Sequence, residues 1–155
     1  MRREFTAAQV RYLLEGKATA FAVGTIRWTS INGSWRGDVE CHAVNMPGCS
    51  VTLQINVRPK RPDQPTVVLL LNGLSCRRVD VNGGHRGRSW THVQGRDNSD
   101  LEDHLLADPP EWFPTLPIGL PVGSDAYHEV LIAAARLFEI DTAGLHWEDP
   151  PEEAP

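Results

Sequence analysis

The chain has 155 residues, 41% hydrophobic and 23% charged, with a formal net charge of −5 at pH 7. That length fits one domain burying roughly two-thirds of its unfolded surface, and the composition excludes general disorder. The wholly apolar runs, Val67 to Leu71 among them, fall far short of a membrane span.

Met1-Arg2-Arg3-Glu4 leads into a helix start with no apolar run behind it, so no secretory signal is expected. The cysteines Cys41, Cys49 and Cys76 are odd in number and lack C-x-x-C spacing. They fit neither a disulfide framework nor a zinc knuckle, and a cytoplasmic location without metal or other cofactor is the expectation. The charge is unevenly spread. Residues 1–96 carry 14 bases against 6 acids, whereas residues 97–155 carry 1 base against 14 acids.

In chain order, Thr6-Ala7-Ala8-Gln9 has capping-box spacing, with Phe5 and Val10 placed for a hydrophobic staple. Val10, Leu13 and Leu14 form the apolar stripe and Gly16 the stop, predicting a helix over residues 7–15. Between residues 20 and 94, runs rich in Val, Ile, Thr, Leu and Trp alternate with Asn-Gly, Pro and Gly signals. The predicted strands are Phe21–Thr29, Asp38–Val44, Ser50–Val57, Thr66–Leu71, Cys76–Asn82 and Arg88–Val93. Their connections are too short for parallel crossovers, which makes the middle an antiparallel meander.

Five prolines between Asp108 and Pro121 predict an irregular strap with Trp112 and Phe113 to bury. Ser124 or Asp125 then caps a helix whose Tyr127, Val130, Leu131, Ala134, Leu137 and Phe138 follow helical spacing. The fold expected is α+β: an N-terminal helix, a five- or six-stranded antiparallel meander, a proline-rich strap and a C-terminal helix on one sheet face. Residues 1–147 form the single domain, and the acidic, proline-punctuated residues 148–155 an unfolded tail.

The segment from Arg77 to His92 gathers arginines and histidines around glycines. A loop over Gly83–Gly87 would set Asn82 opposite Arg88, Asp80 opposite Trp90 and Arg78 opposite His92, all on one sheet face. The cluster depends on register, since a slip of one residue separates Arg78 from His92. Two imidazoles, His85 and His92, can divide general-base and general-acid duties, and Arg78 can stabilise charge on a phosphoryl oxygen without a metal. Trp90 offers a stacking surface, and Arg77, Arg86, Arg88 and Arg96 add affinity for a phosphate backbone. Structural alternatives stand beside this. His92 and Trp90 can be half-buried sheet residues with Asp80 neutralising Arg78, and Asp80, His85 and His92 are conceivable metal ligands without a recognised ligand motif.

These residues resemble an uncharacterised family of small bacterial and prophage proteins. Its pattern runs from a Phe-Thr-led helix through an Arg-Arg-Leu-Asp-Ile-Asn-Gly strand and turn to a His-x-His strand and a final hydrophobic helix. Phe5-Thr6, Leu13-Leu14, Lys17, Arg77 to His85, Thr91-His92 and Leu131 to Ile140 carry the likeness. Arg86-Gly87-Arg88-Ser89 replaces the family's Asn-Pro-Asp-Gly, and Gln94 stands where it has its second histidine. The resemblance supports the architecture and implies no established activity.

The residues support two functional expectations. The first is a cytoplasmic nucleic-acid-directed protein acting on RNA or another phosphate-bearing ligand, in its strongest form a metal-independent endoribonuclease of toxin or prophage type. The second is a non-enzymatic interaction module, such as a prophage accessory protein, that engages a basic or host protein through its acidic C-terminal third. Neither involves a membrane.

Overall fold

The capping box forms as its spacing dictates. In a computed structural model describing residues 4–85, 88–95, 104–123 and 125–155, the Gln9 backbone N–H donates to Thr6 Oγ1 at 3.1 Å. The Thr6 N–H donates to Gln9 Oε1 at 2.8 Å. Helix α1 (Ala7–Leu14) comes next and buries Val10 and Leu13. It ends in a Schellman turn, with Gly16 at φ +77° donating to Leu13 O and Lys17 donating to Tyr12 O.

Six long strands succeed it: β1 (Ala20–Ile31), β2 (Ser34–Ala43), β3 (Val51–Arg58), β4 (Arg61–Leu71), β5 (Leu74–His85) and β6 (Arg88–Gly95). Each pairs antiparallel with its sequence neighbour, and the sheet curls into a half-barrel. Asn32-Gly33 and Asn72-Gly73 make the tight turns, both residues of each pair at positive φ as a two-residue hairpin of right-handed twist requires.

The strand count expected from sequence is too low. β7 (His104–Ala107) adds an antiparallel edge beside β6, and the two-residue strands β8 (Ile140–Asp141) and β9 (Leu145–His146) pair parallel with β1 at the other edge. β4 also begins earlier, running through Pro62 and Pro65. Prolines cannot donate to a ladder, and these lie where pairing with β3 is interrupted between Asn56 and Arg58.

Strand alternation puts Val51, Leu53, Ile55, Val67, Leu69, Leu71 and Val79 on one face, and all are essentially inaccessible. Each such side chain removed from water contributes roughly 1.5–3 kcal/mol. Helix α2 (Ala126–Leu137) packs against β4 and β8, burying Val130, Leu131 and Ala133 to Ala135, with Phe138 just beyond it. Tyr127 and Leu137, expected on the stripe, are half-buried, and Asp125 makes no side-chain capping bond. Ser124 lies outside the described residues.

The strap is irregular, as its prolines require, and it buries Phe113 and Leu116. Trp112 stays exposed beneath the Arg136 guanidinium, 4.0 Å from its ring centroid. Two buried polar residues pin the strap to the sheet. Asn82 Nδ2 donates to Leu116 O and Asp63 O, and the Gly119 N–H donates to Asp63 Oδ2. No helix among the described residues is long and apolar enough to cross a membrane.

Candidate functional site

Directly opposed residues share a sheet face, so the register reads out the face opposite the core row by row. One row crosses Thr29, Arg36, Asn56, Thr66, Asp80 and His92; the next crosses Arg27, Asp38, Gln54, Val68, Arg78 and Gln94. The face is a polar ladder, with Arg27 toward one end of the second row and Arg78 toward the other. Gln54 Nε2 donates to Asp38 Oδ1 at 2.9 Å, and Arg36 Nε lies 3.5 Å from Asp38 Oδ2.

Asp80 is the hub of the β5–β6 part. It accepts from Thr66 Oγ1 at 3.1 Å and from Arg78 Nε at 3.1 Å, and His92 Nε2 lies 3.2 Å from the same carboxylate. Arg78 also donates through an NH2 group to Gln94 Oε1. His92 Nδ1 faces the Trp90 carbonyl at 3.0 Å, and the two rings pack with centroids 4.9 Å apart. Both imidazole nitrogens therefore face acceptors. Gly83 makes this packing possible: a Cβ there would stand 2.9 Å from Asp80 Cβ and 3.0 Å from His92 Cε1.

The register differs by two residues from the one expected. Asp80 pairs with His92 and Arg78 with Gln94, and the hairpin closes at His85 and Arg88 rather than around a five-residue loop. The Asn-Gly-Gly run that resembles a turn is a bulge within β5. Asn82 sits there at φ +51° because its carboxamide is tied to β4 and the strap, and its N–H donates to Thr91 Oγ1. Since the shift is even, Arg78, Asp80 and His92 still share one face.

The structure brings together Arg78, Asp80, His92, Gln94 and Trp90. Side-chain exposure separates them: His92 is 3% exposed, Asp80 18% and Arg78 37%. Arg77, expected among the backbone contacts, stands opposite Leu69 and Gly95, on the face away from Arg78. Arg86 and Arg96 lie outside the described residues, as do the side chains of His85 and Arg88. Among the described residues no three His, Cys, Asp or Glu side chains gather as a metal site.

Sequence reasoning missed three contributors. Thr66 carries no signal of its own and becomes visible only once the β4–β5 register is known. Arg27 and Arg36 belong to the first hairpin, and only strand alternation could have placed them on this face. Beyond them Arg58, Lys60 and Arg61 stand exposed at the β3–β4 turn, at the same end of the sheet as the β1–β2 turn. The chain matches no family model, no curated protein and no solved structure.

Proposed function

We propose that the protein is nucleic-acid-directed and grips phosphate with the polar face of its sheet. The observation carrying this reading is the placement of cations: Arg27, Arg36 and Arg78 on neighbouring cross-strand rows, with Arg58, Lys60 and Arg61 exposed at one end. A guanidinium held by Asp80 and Gln94 meets phosphate in a set orientation, so less rotamer freedom is lost on contact. Trp90, half-buried beside His92, adds a ring on which an unpaired base can stack. Single-stranded RNA is the ligand class that uses both features.

In this reading His92 is a positioning residue. It holds Asp80, which holds Arg78. Proton transfer to a polynucleotide would need an imidazole nitrogen at the surface, and the burial and bonding of His92 favour the positioning role instead. The proposal is accordingly one of binding.

Anisotropy of a labelled single-stranded RNA, measured over a salt series, tests it. Affinity is expected to fall log-linearly with salt, and the combined Arg27→Ala, Arg58→Ala and Arg61→Ala substitutions to flatten the slope by about 0.7 per lost phosphate contact. His92→Phe is expected to weaken binding while leaving the RNA as intact in chelator as with the native chain. Binding that ignores salt, or that survives the triple substitution unchanged, overturns the reading.

A further inference from the structure

Residues 148–155 lie against the first hairpin. Beyond α2 the chain runs parallel to β1, and the indoles of the first hairpin take hold of the acidic tail. Trp28 Nε1 donates to Glu148 O at 3.0 Å and Trp35 Nε1 to Glu153 O at 3.2 Å. These rings sit on the core side, Trp28 opposite Gly37 and Trp35 opposite Ser30 and Val57. Gly37 leaves room for the first of them, since a Cβ there would meet Trp28 Cζ3 at 3.0 Å and Ile26 Cδ1 at 2.6 Å. Trp147 roots the segment, edge-on to Trp28 and stacked on His128 of α2 at 4.8 Å.

The seated residues sort by chemistry. Pro150, Pro151 and Pro155 are half-buried, whereas Glu148, Asp149, Glu152 and Glu153 are exposed. The segment thus meets the hairpin through main-chain carbonyls, with its prolines half-buried, and of its carboxylates Asp149 accepts from Trp147 Nε1 at 3.0 Å through Oδ1. Aromatic grooves that read proline-rich chain work in this way: the fixed φ of proline lowers the ordering cost, and an indole N–H meets a carbonyl that no intrachain ladder uses.

We infer that the Trp28–Trp35 hairpin is a docking site for a proline-pair segment of a partner protein, occupied in the isolated chain by its own residues 148–155. Main-chain carbonyls and prolines carry the recognition, so a partner needs a Pro-Pro pair with the carbonyl spacing seen between Glu148 and Glu153. It does not need this tail's charges. The resident segment competes as an intramolecular ligand whose effective concentration a partner must exceed. This inference is independent of the phosphate-binding face, which lies on the opposite side of the sheet.

The probe is a fluorescein-labelled peptide with the sequence of residues 148–155, titrated into the full chain. A full chain carrying Pro150→Gly and Pro151→Gly, whose own segment is loosened, is expected to bind it at least about tenfold more tightly than the native chain, because the competing ligand is weakened. Adding Trp35→Phe, which keeps a ring and removes the N–H, is expected to abolish that gain. A peptide with both prolines replaced by glycine is expected not to bind. The inference is overturned if the loosened chain binds no peptide, if the glycine peptide binds equally, or if Trp35→Phe changes nothing. It is overturned too if the native chain self-associates through this segment, which would assign the seat to a second copy.

Discussion

Cys41 shows how one side chain reports its surroundings. It is buried against the core between β1 and β3, and burial pushes its thiol up to about 12, from 9.0. The folded state therefore keeps a proton that the unfolded chain releases above about pH 9. The corresponding stability is fully present below that pH and drains away as pH rises toward 12. At pH 8 iodoacetamide is expected to modify half-buried Cys49 first and leave Cys41 untouched until the protein unfolds, as peptide mass mapping would show. Equal labelling of the two in native protein would contradict the burial. Gly83 argues the same point sterically. Gly83→Ala pushes a methyl group onto Asp80 and His92, which is expected to cost about 1–3 kcal/mol as overpacking, read as a lower urea midpoint at unchanged slope.

Among the elements, α1 was legible because everything that makes it is local. Thr6 and Gln9 close the capping box within three residues, and Gly16 ends the helix one residue past its cap. The tight turns at Asn32-Gly33 and Asn72-Gly73 were readable for the same reason. Asn82-Gly83-Gly84 carries the same local signal and is not a turn. What decides there is tertiary, since the Asn82 carboxamide bonds to Asp63 O and Leu116 O, from residues 19 and 34 positions away. The candidate site was legible in its members Arg78, Asp80 and His92 but not in their pairing, because that bulge sets the register. Asn82→Ala is expected to cost about 2–4 kcal/mol, combining two orphaned carbonyls with a left-handed backbone an alanine resists. Asn82→Gly removes the bonds and relieves the backbone, so its smaller loss isolates the side chain's share. In both variants the Trp90 indole resonance is expected to move as the hairpin shifts. An Asn82→Ala protein as stable as the native one would mean that the turn chemistry alone holds the bulge.

For the whole molecule the governing fact is that an open sheet has two edges, each a template for another strand. At one side the edge is β7, only four residues long, and a short edge strand offers little template. The other is closed by the chain's own end, in which β8 and β9 pair with β1 at residues 20–21 and 24–25, and residues 148–153 continue across the tryptophans of the same hairpin. This cover depends on one close backbone approach. The Gly24 N–H donates to Gly144 O at 3.2 Å, and a Cβ on Gly144 would stand 2.7 Å from Ala22 O, a backbone atom with no freedom to withdraw. Gly144→Ala must therefore lift the segment off β1. The core keeps Phe138 and Ile140 upstream of the break, so the fold is expected to survive with a loss of about 1–3 kcal/mol. The uncovered edge is expected to pair with that of a second copy, giving a concentration-dependent rise in mass by light scattering that the native chain lacks. A Gly144→Ala protein that stays monomeric with its Trp28 indole still protected from exchange would show that the strand edge closes without this approach.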